Sequence, residues 1–400
     1  MIREGKLRLS YTNIFLVVYA ILLTTTMIVT QTYLGEIIRL PYFAIRYAGS
    51  AILLGLFLVG NMKMNVWTIG KIALLMVCMI GIYSFTGSTY LADLVVLILA
   101  CKKVDCDRLI CCDLKIRGLL LLTTFVLGRI GIISSANDIK DGYIRYSMGF
   151  THVNAFSLCA FVLLCCYIYI NYSTISFKKI IFIVLYVILV YQTARSGTFL
   201  YVSSIAVCVC IYLQHNIRNR KASNFLLKIL LVVLAVSWSL SVFVMIWYDP
   251  SVKWMYGLNR FLSGRLALMS SAYKEFGIKN FGQIIQWVTT KQATSSLKLN
   301  VVDNGIARLL LTQGWIATIL LIGGLLVLFI YSMRVNNALC LILALFAIYG
   351  ISESGCYYVY TNPFLIFLGQ ILYSRKQCYK KTMEERDSAC DCVIKESYNN

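Results

Sequence analysis

The sequence predicts an all-α polytopic membrane protein with about twelve transmembrane helices, and three observations predict it. Hydrophobic residues make up 60% of the 400 and charged residues only 14%, against about 25% charged in an ordinary soluble domain. The apolar residues come in successive runs bounded by charged or small polar clusters. A run of about 20 spans hydrocarbon as a helix, because every backbone N–H and C=O must be satisfied within the segment. Finally, Lys and Arg concentrate in alternate connections between the runs.

Spans are expected near 12–32, 43–61, 67–86, 89–102, 117–135, 153–172, 179–194, 197–214, 226–247, 305–333, 336–352 and 357–373, the fourth being short. Residues 1–373 then form one multi-span membrane domain, and 374–400 a polar cytoplasmic tail expected to be disordered. The first run follows a basic stretch (Arg3, Lys6, Arg8) but is too long for a signal-peptide core, so it reads as a retained span. A tight turn is expected at Ala194-Arg195-Ser196-Gly197.

Orientation follows from the basic residues. With the N-terminus inside, the inner loops hold Lys63, then Lys102, Lys103, Arg108, Lys115 and Arg117, then Lys178 and Lys179, Arg218, Arg220 and Lys221, and Arg334. The short outer loops hold Arg39, Lys140, Arg145 and Arg195. This asymmetry places both termini in the cytoplasm. It also accounts for the net charge of +20 without a nucleic-acid partner. The fifteen cysteines lie mostly inside apolar runs or in loops assigned to the reducing cytoplasm, so they read as packing residues rather than a disulfide framework.

Residues 248–304 form the long extracytoplasmic loop. Within it Leu262, Leu266, Met269, Tyr273 and Phe276 recur at helical spacing, with Ser263 as the expected N-cap and Gly277 as the stop. Arg265 then falls in the first turn, beside free N–H groups and the positive end of the helix dipole, a plausible anion site. An interfacial amphipathic helix with a solvated Arg265 reads equally well from the pattern. Nearby aromatics (Trp254, Tyr256, Phe261, Tyr273, Trp287) fit sugar stacking or an interfacial belt.

Charges inside spans are costly and usually mark function. Arg46, Asp93, Arg129, Arg308 and Glu353 project to the outer half of their spans, and Arg145 and Arg195 fall on outer turns. Snorkelling explains any one of them. Their shared bias points to a polar, mostly cationic cavity open to the outer side. Guanidinium matches phosphate best, through a bidentate fork that stays charged, so a lipid-linked phosphate or pyrophosphate is the expected ligand. Asp105-Cys106-Asp107 looks like the metal and nucleotide-sugar signature of soluble glycosyltransferases, but no nucleotide-binding domain surrounds it. Cys101, Cys106, Cys111 and Cys112 lack paired zinc spacing, and no P-loop or Rossmann glycine pattern occurs. No metal or cofactor is expected.

Five segments, in order, resemble the signatures of Wzy-type polysaccharide polymerases of O-antigen, capsule and exopolysaccharide synthesis. Arg145-Tyr146-Ser147-Met148-Gly149-Phe150-Thr151-His152-Val153-Asn154 looks like R-x-S-x-G-F-x-H-P-N, with Val153 in place of the proline. Thr193-Ala194-Arg195-Ser196-Gly197 resembles their S/T-x-R-S/T-G turn, and Leu262-Ser263-Gly264-Arg265-Leu266 their LSGRL helix start. Val302-Asp303-Asn304 is similar to the DN before the next span, and Glu353 to the acid ending the one after. The resemblance covers roughly residues 130–370. It implies an enzyme of the bacterial cell membrane that joins repeat units carried on undecaprenyl pyrophosphate, with a flippase and a chain-length regulator as partners. It further implies pyrophosphate and glycan contacts at Arg145, Asn154, Arg195, Arg265, Asn304 and Arg308. An acceptor hydroxyl needs a base, for which His152, Asp303 and Glu353 are the candidates.

Two other readings compete. O-antigen ligases resemble one another in a histidine of the large outer loop, whereas the histidines here are His152 and His215. A flippase or transporter of lipid-linked glycans predicts internal symmetry and charges through the whole membrane depth. The sequence shows no such repeat.

Overall fold

The computed structural model describes all residues except Met1, 61–63, 65, 141, 217–218, 289–300 and 374–400, and gives only the backbone of residues 2–10 and 140. The tail expected to be disordered therefore lies outside the described residues.

The elements in chain order are α1 (Ile2–Gln31), α2 (Leu34–Ile38), α3 (Tyr42–Gly60), α4 (Val66–Thr86), α5 (Tyr90–Ala100), α6 (Cys106–Arg129), the hairpin β1 (Asp138–Lys140) and β2 (Tyr143–Arg145), α7 (Val153–Asn171), α8 (Phe177–Ala194), α9 (Gly197–Asn216), α10 (Arg220–Trp247), α11 (Lys253–Phe261), α12 (Arg265–Phe276), α13 (Gly305–Val335), α14 (Asn337–Tyr349) and α15 (Leu368–Leu372). Among the described residues eight helices are long and apolar enough to cross a membrane: α1, α3, α4, α7, α8, α9, α10 and α13. Their outer faces expose large apolar side chains such as Leu58, Trp67, Val77, Leu189 and Ile319. That is the surface a lipid environment accepts and water does not.

The other four expected spans are not of that kind. Helix α5 has 11 residues and α14 has 13, or about 17 and 20 Å of rise against roughly 30 Å of hydrocarbon. Helix α6 is long enough but carries Asp113, Lys115 and Arg117 along its middle. The last expected span, 357–373, consists of 3₁₀ turns at 354–357 and 363–367 and the five-residue α15. Irregular backbone is tolerated at such a place because protein, not lipid, surrounds it. Tyr357, Val359, Tyr360 and Phe364 to Phe367 are all buried.

Arg117 explains how that segment is held, and corrects its assignment to an inner loop. It is fully buried. Its Nε and Nη2 reach Asp113 at 2.8 and 2.9 Å, and Nη2 also donates to the Tyr360 carbonyl at 3.1 Å. Tyr19 of α1 donates to Asp113 Oδ2 at 2.7 Å. One buried ion pair thus ties α1 and α6 to a stretch that cannot satisfy its own carbonyls by helix. These charges also correct the expectation that costly charge is confined to the outer half.

Helices α7 and α14 form the centre. Some 72% of the apolar stretch of α7 is buried, against 11% for α4 at the rim. Small residues such as Ala160 and Cys165 let neighbours approach α7 closely, and Phe161 stacks on Tyr349 at 4.2 Å between ring centres.

The expected continuous span 305–333 is broken. Gly314 inside α13 has φ 84°, and the 279–283 segment of the long loop docks into the break. Lys279 and Asn280 carbonyls accept from the N–H groups of Trp315 and Ile316, both at 3.2 Å, and Gln283 N donates to the Thr312 carbonyl at 3.1 Å. The loop supplies the partners that the kink removed. A Cβ at Gly314 would fall on Gly282 N and the Lys279 carbonyl oxygen, and one at Gly282 on the Thr312 carbonyl oxygen.

Candidate functional site

The chain runs alternately up and down through α7, α8, α9, α10, α13 and α14, so the N-termini of α7, α9 and α13 meet the C-termini of α8, α10 and α14. Helices α11 and α12 cover this end. Between them lies a cavity of about 880 Å³, near the upper end of the usual range of roughly 300–1,000 Å³ for ligand sites. Of the nine residues singled out from the sequence, seven line it: Arg145, His152, Asn154, Arg195, Arg265, Asp303 and Asn304. They come from segments far apart in the chain, as a built site requires.

The hairpin β1–β2 delivers Arg145. Its Nε donates to the Ala194 carbonyl at 3.1 Å, Nη1 to Asp138 at 3.4 Å and Nη2 to Asn154 Oδ1 at 3.3 Å. Arg145 therefore braces the cavity wall. Beyond it Gly149 takes φ 82°, and a Cβ there would meet Ile133 and Thr124, so only glycine fits. His152 then caps α7, its Nδ1 accepting the Asn154 N–H at 3.0 Å. Val153 occupies the first helical position, where the signature it resembles has proline. Valine serves there because His152 already fixes the helix start.

Arg195 ends α8 in the left-handed conformation, φ 48°, which aims its side chain into the cavity. Its guanidinium lies over the rings of Tyr143 at 5.3 Å and Tyr191 at 5.7 Å. Among the described residues no carboxylate pairs with it.

Helix α12 places Arg265 in its first turn and ends at the Gly277 C-cap, both as expected. Its cap is corrected: Gly264, not Ser263, is the N-cap, and the two residues have φ 82° and 57°. Asn259 of α11 supplies the missing acceptor, its Oδ1 taking the Ala267 N–H at 3.0 Å. Arg265 Nε stands 3.1 Å from Asp303 Oδ2, and Nη1 donates to the Ser352 carbonyl.

Asn304 is a positioning residue rather than a ligand group. Its Oδ1 caps α13 by accepting from Ala307 N at 2.9 Å, and its Nδ2 donates to Ser241 Oγ at 2.8 Å and to the Ile351 carbonyl at 3.0 Å. It is only 2% exposed.

The remaining two candidates do not line this cavity. Arg308 faces a second cavity of about 410 Å³ on the other side of the α13 start. It donates to Ser354 Oγ at 3.2 Å and lies 5.5 Å over the Trp287 ring. Glu353 stands in the wall between the cavities, since Ser352 lines the first and Ser354 the second. It is within electrostatic reach of Asp303, Arg265 and Arg308.

Two expectations about membrane charges need revision. Arg46 and Asp93 form an ion pair with each other, and Tyr358 donates to Asp93 at 3.4 Å. Arg129 is exposed at the end of α6. Sequence reasoning also missed Arg260, Asp138, Thr198 and Ser352, which all line the larger cavity. Arg260 had a signal in its place just ahead of the LSGRL-like segment. The other three did not, because a lone polar residue near a span end looks like any interfacial one.

Among the described residues four arginines (Arg145, Arg195, Arg260, Arg265) and two aspartates (Asp138, Asp303) line the larger cavity, an excess of two positive charges. Such a lining favours a dianionic ligand. Among the described residues no cluster of three or more His, Cys, Asp or Glu could hold a metal ion. Asp105 caps α6 and Asp107 accepts from Tyr169 at 2.7 Å, so both carboxylates of the glycosyltransferase-like tripeptide serve the fold. Compared with protein-family models, with curated proteins and with solved structures, the chain matches none.

Proposed function

We propose that this chain is a polysaccharide polymerase of the bacterial cell membrane, joining oligosaccharide repeat units carried on undecaprenyl pyrophosphate at the outer face. The observation that carries this reading is the gathering of Arg195, Arg260 and Arg265 with Asp303 in one large cavity at the end of the bundle that holds the long loop.

Each part has a chemical task in this reading. The donor glycan sits with its lipid pyrophosphate against Arg195, Arg260 and Arg265. The acceptor hydroxyl oxygen attacks the anomeric carbon of the donor. The bond from that carbon to the pyrophosphate oxygen breaks, and its electron pair leaves with the phosphate. The hydroxyl proton passes to the Asp303 carboxylate. Guanidiniums fixed where charge develops speed such a step, each preorganised donor contributing about 10²–10³-fold. His152 is the weaker base candidate, because the lone pair on Nδ1 is engaged by the Asn154 N–H. Glu353 balances the guanidiniums of Arg265 and Arg308 from inside the wall.

The flippase reading draws on charge inside the bundle away from the large cavity, and Asp113 and Arg117 are such charges. Both are fully buried and bonded to each other, so they brace the bundle rather than line a path. Deleting the gene in its host and resolving the surface glycan on a gel tests the proposal. A ladder collapsed to single repeat units is the expected result. Loss of all surface glycan would instead indicate a flippase or ligase, and an unchanged ladder would exclude all three.

A further inference from the structure

The smaller cavity differs in chemistry from the larger one. Its lining includes the amides Gln283 and Gln313, the hydroxyls of Thr86, Ser88 and Thr312, and the rings of Tyr90, Trp287 and Tyr358. Among the described residues Arg308 is its single charged lining residue, and that guanidinium is held by Ser354 Oγ and the Trp287 face. Neutral donors and acceptors beside aromatic faces suit a ligand with hydroxyl groups on its edge and C–H groups on its face. They do not suit a phosphate, which calls for unpaired cations.

A second observation points the same way. Gln313 is 4% exposed, and its Oε1 has no hydrogen-bond partner among the described residues. Buried amide oxygens are almost always bonded, and Gln313 is among the residues that line the cavity. The floor is rigid, because the loop segment docked at the Gly314 break supplies it. Gln283 Nε2 donates to the carbonyls of Gly277 at 3.0 Å and Leu311 at 3.2 Å. At about 410 Å³ the space lies at the low end for ligand sites. The wall toward the arginine-lined cavity is one turn of chain: Asn304 lines one side and Gly305 the other, as do Ser352 and Ser354.

We infer that the smaller cavity is a binding site for an uncharged sugar residue, distinct from the anion site across the wall. Its hydroxyls bond Gln313, Gln283 and Thr312, and its apolar face lies against the tyrosines. Assigning that sugar to the acceptor glycan rests on the polymerase reading. The sugar site itself does not.

The test is saturation-transfer-difference NMR on the full-length protein in nanodiscs. The probe is a mixture of methyl glycosides of glucose, galactose, N-acetylglucosamine and N-acetylgalactosamine. At least one glycoside should show transfer, and added inorganic pyrophosphate should leave it unchanged. Gln313→Leu should abolish the signal, and so should Ile284→Trp, which closes the mouth from a position 73% exposed and so leaves the core untouched. Arg195→Ala should retain it. Absence of transfer to any glycoside, displacement by pyrophosphate, or a full signal in Ile284→Trp overturns the site. If glycosides bind while Ile284→Trp leaves the host's glycan ladder at wild-type length, the site stands and its acceptor role is excluded. Loss of the polymerase reading itself shows separately, in the deletion ladder.

Discussion

Arg265 Nε lies 3.1 Å from Asp303 Oδ2, and this pair joins the start of α12 in the long loop to the turn that opens α13. The same guanidinium holds the Ser352 carbonyl, so one side chain fixes three segments around the cavity. Arg265→Lys keeps the charge and loses the fork. It is expected to insert normally, judged by membrane immunoblot, yet to cut polymer formation by about 10²-fold or more. A wild-type glycan ladder in this variant would remove Arg265 from the proposed pyrophosphate site.

Arg195 has aromatic neighbours but no carboxylate among the described residues. Its loss should therefore disturb function far more than stability. Arg195→Ala is expected to melt within a few degrees of the parent in detergent while the host displays only single repeat units. A large drop in melting temperature would instead make it a structural residue.

The cap role of His152 separates it from the carboxylates. Asparagine is as good an N-cap as any, so His152→Asn should retain polymer length to within about tenfold, whereas Asp303→Asn should not. Equal loss in the two variants would restore His152 as the base.

The Asp113–Arg117 pair is buried on both sides. Asp113→Asn leaves an uncompensated buried guanidinium and is expected to cost about 3–5 kcal/mol. The double change Asp113→Leu with Arg117→Met removes both charges and should be milder. Chemical denaturation of the parent and the two variants decides this, and a double variant less stable than Asp113→Asn would count against the pairing.

Gly314 and Gly282 are needed where the loop enters the broken helix. Either one changed to alanine forces a left-handed residue with a Cβ against backbone, costing about 1–3 kcal/mol from the conformation alone. Melting temperatures of Gly314→Ala and Gly282→Ala should both fall, and limited proteolysis should reach 279–283 first. Unchanged melting in both would mean that the loop does not depend on this dock.

Hydropathy alone was enough to read an all-α membrane protein, since long apolar runs have one stable solution in lipid. The place of Arg265 in the first turn of α12 and the tight turn at Arg195 were legible too, because local backbone chemistry decides them. The count of regular spans was not. A buried apolar stretch such as 357–373 has the same composition whether it is a helix or 3₁₀ turns. The irregular form rests on tertiary partners such as Arg117, which donates to the Tyr360 carbonyl, and on burial of the segment within the protein. Nor could spacing reveal that Asn304 spends its side chain on the fold, or that Glu353 divides two cavities. Those facts depend on which helix ends come together, and that is set by packing between segments far apart in the chain.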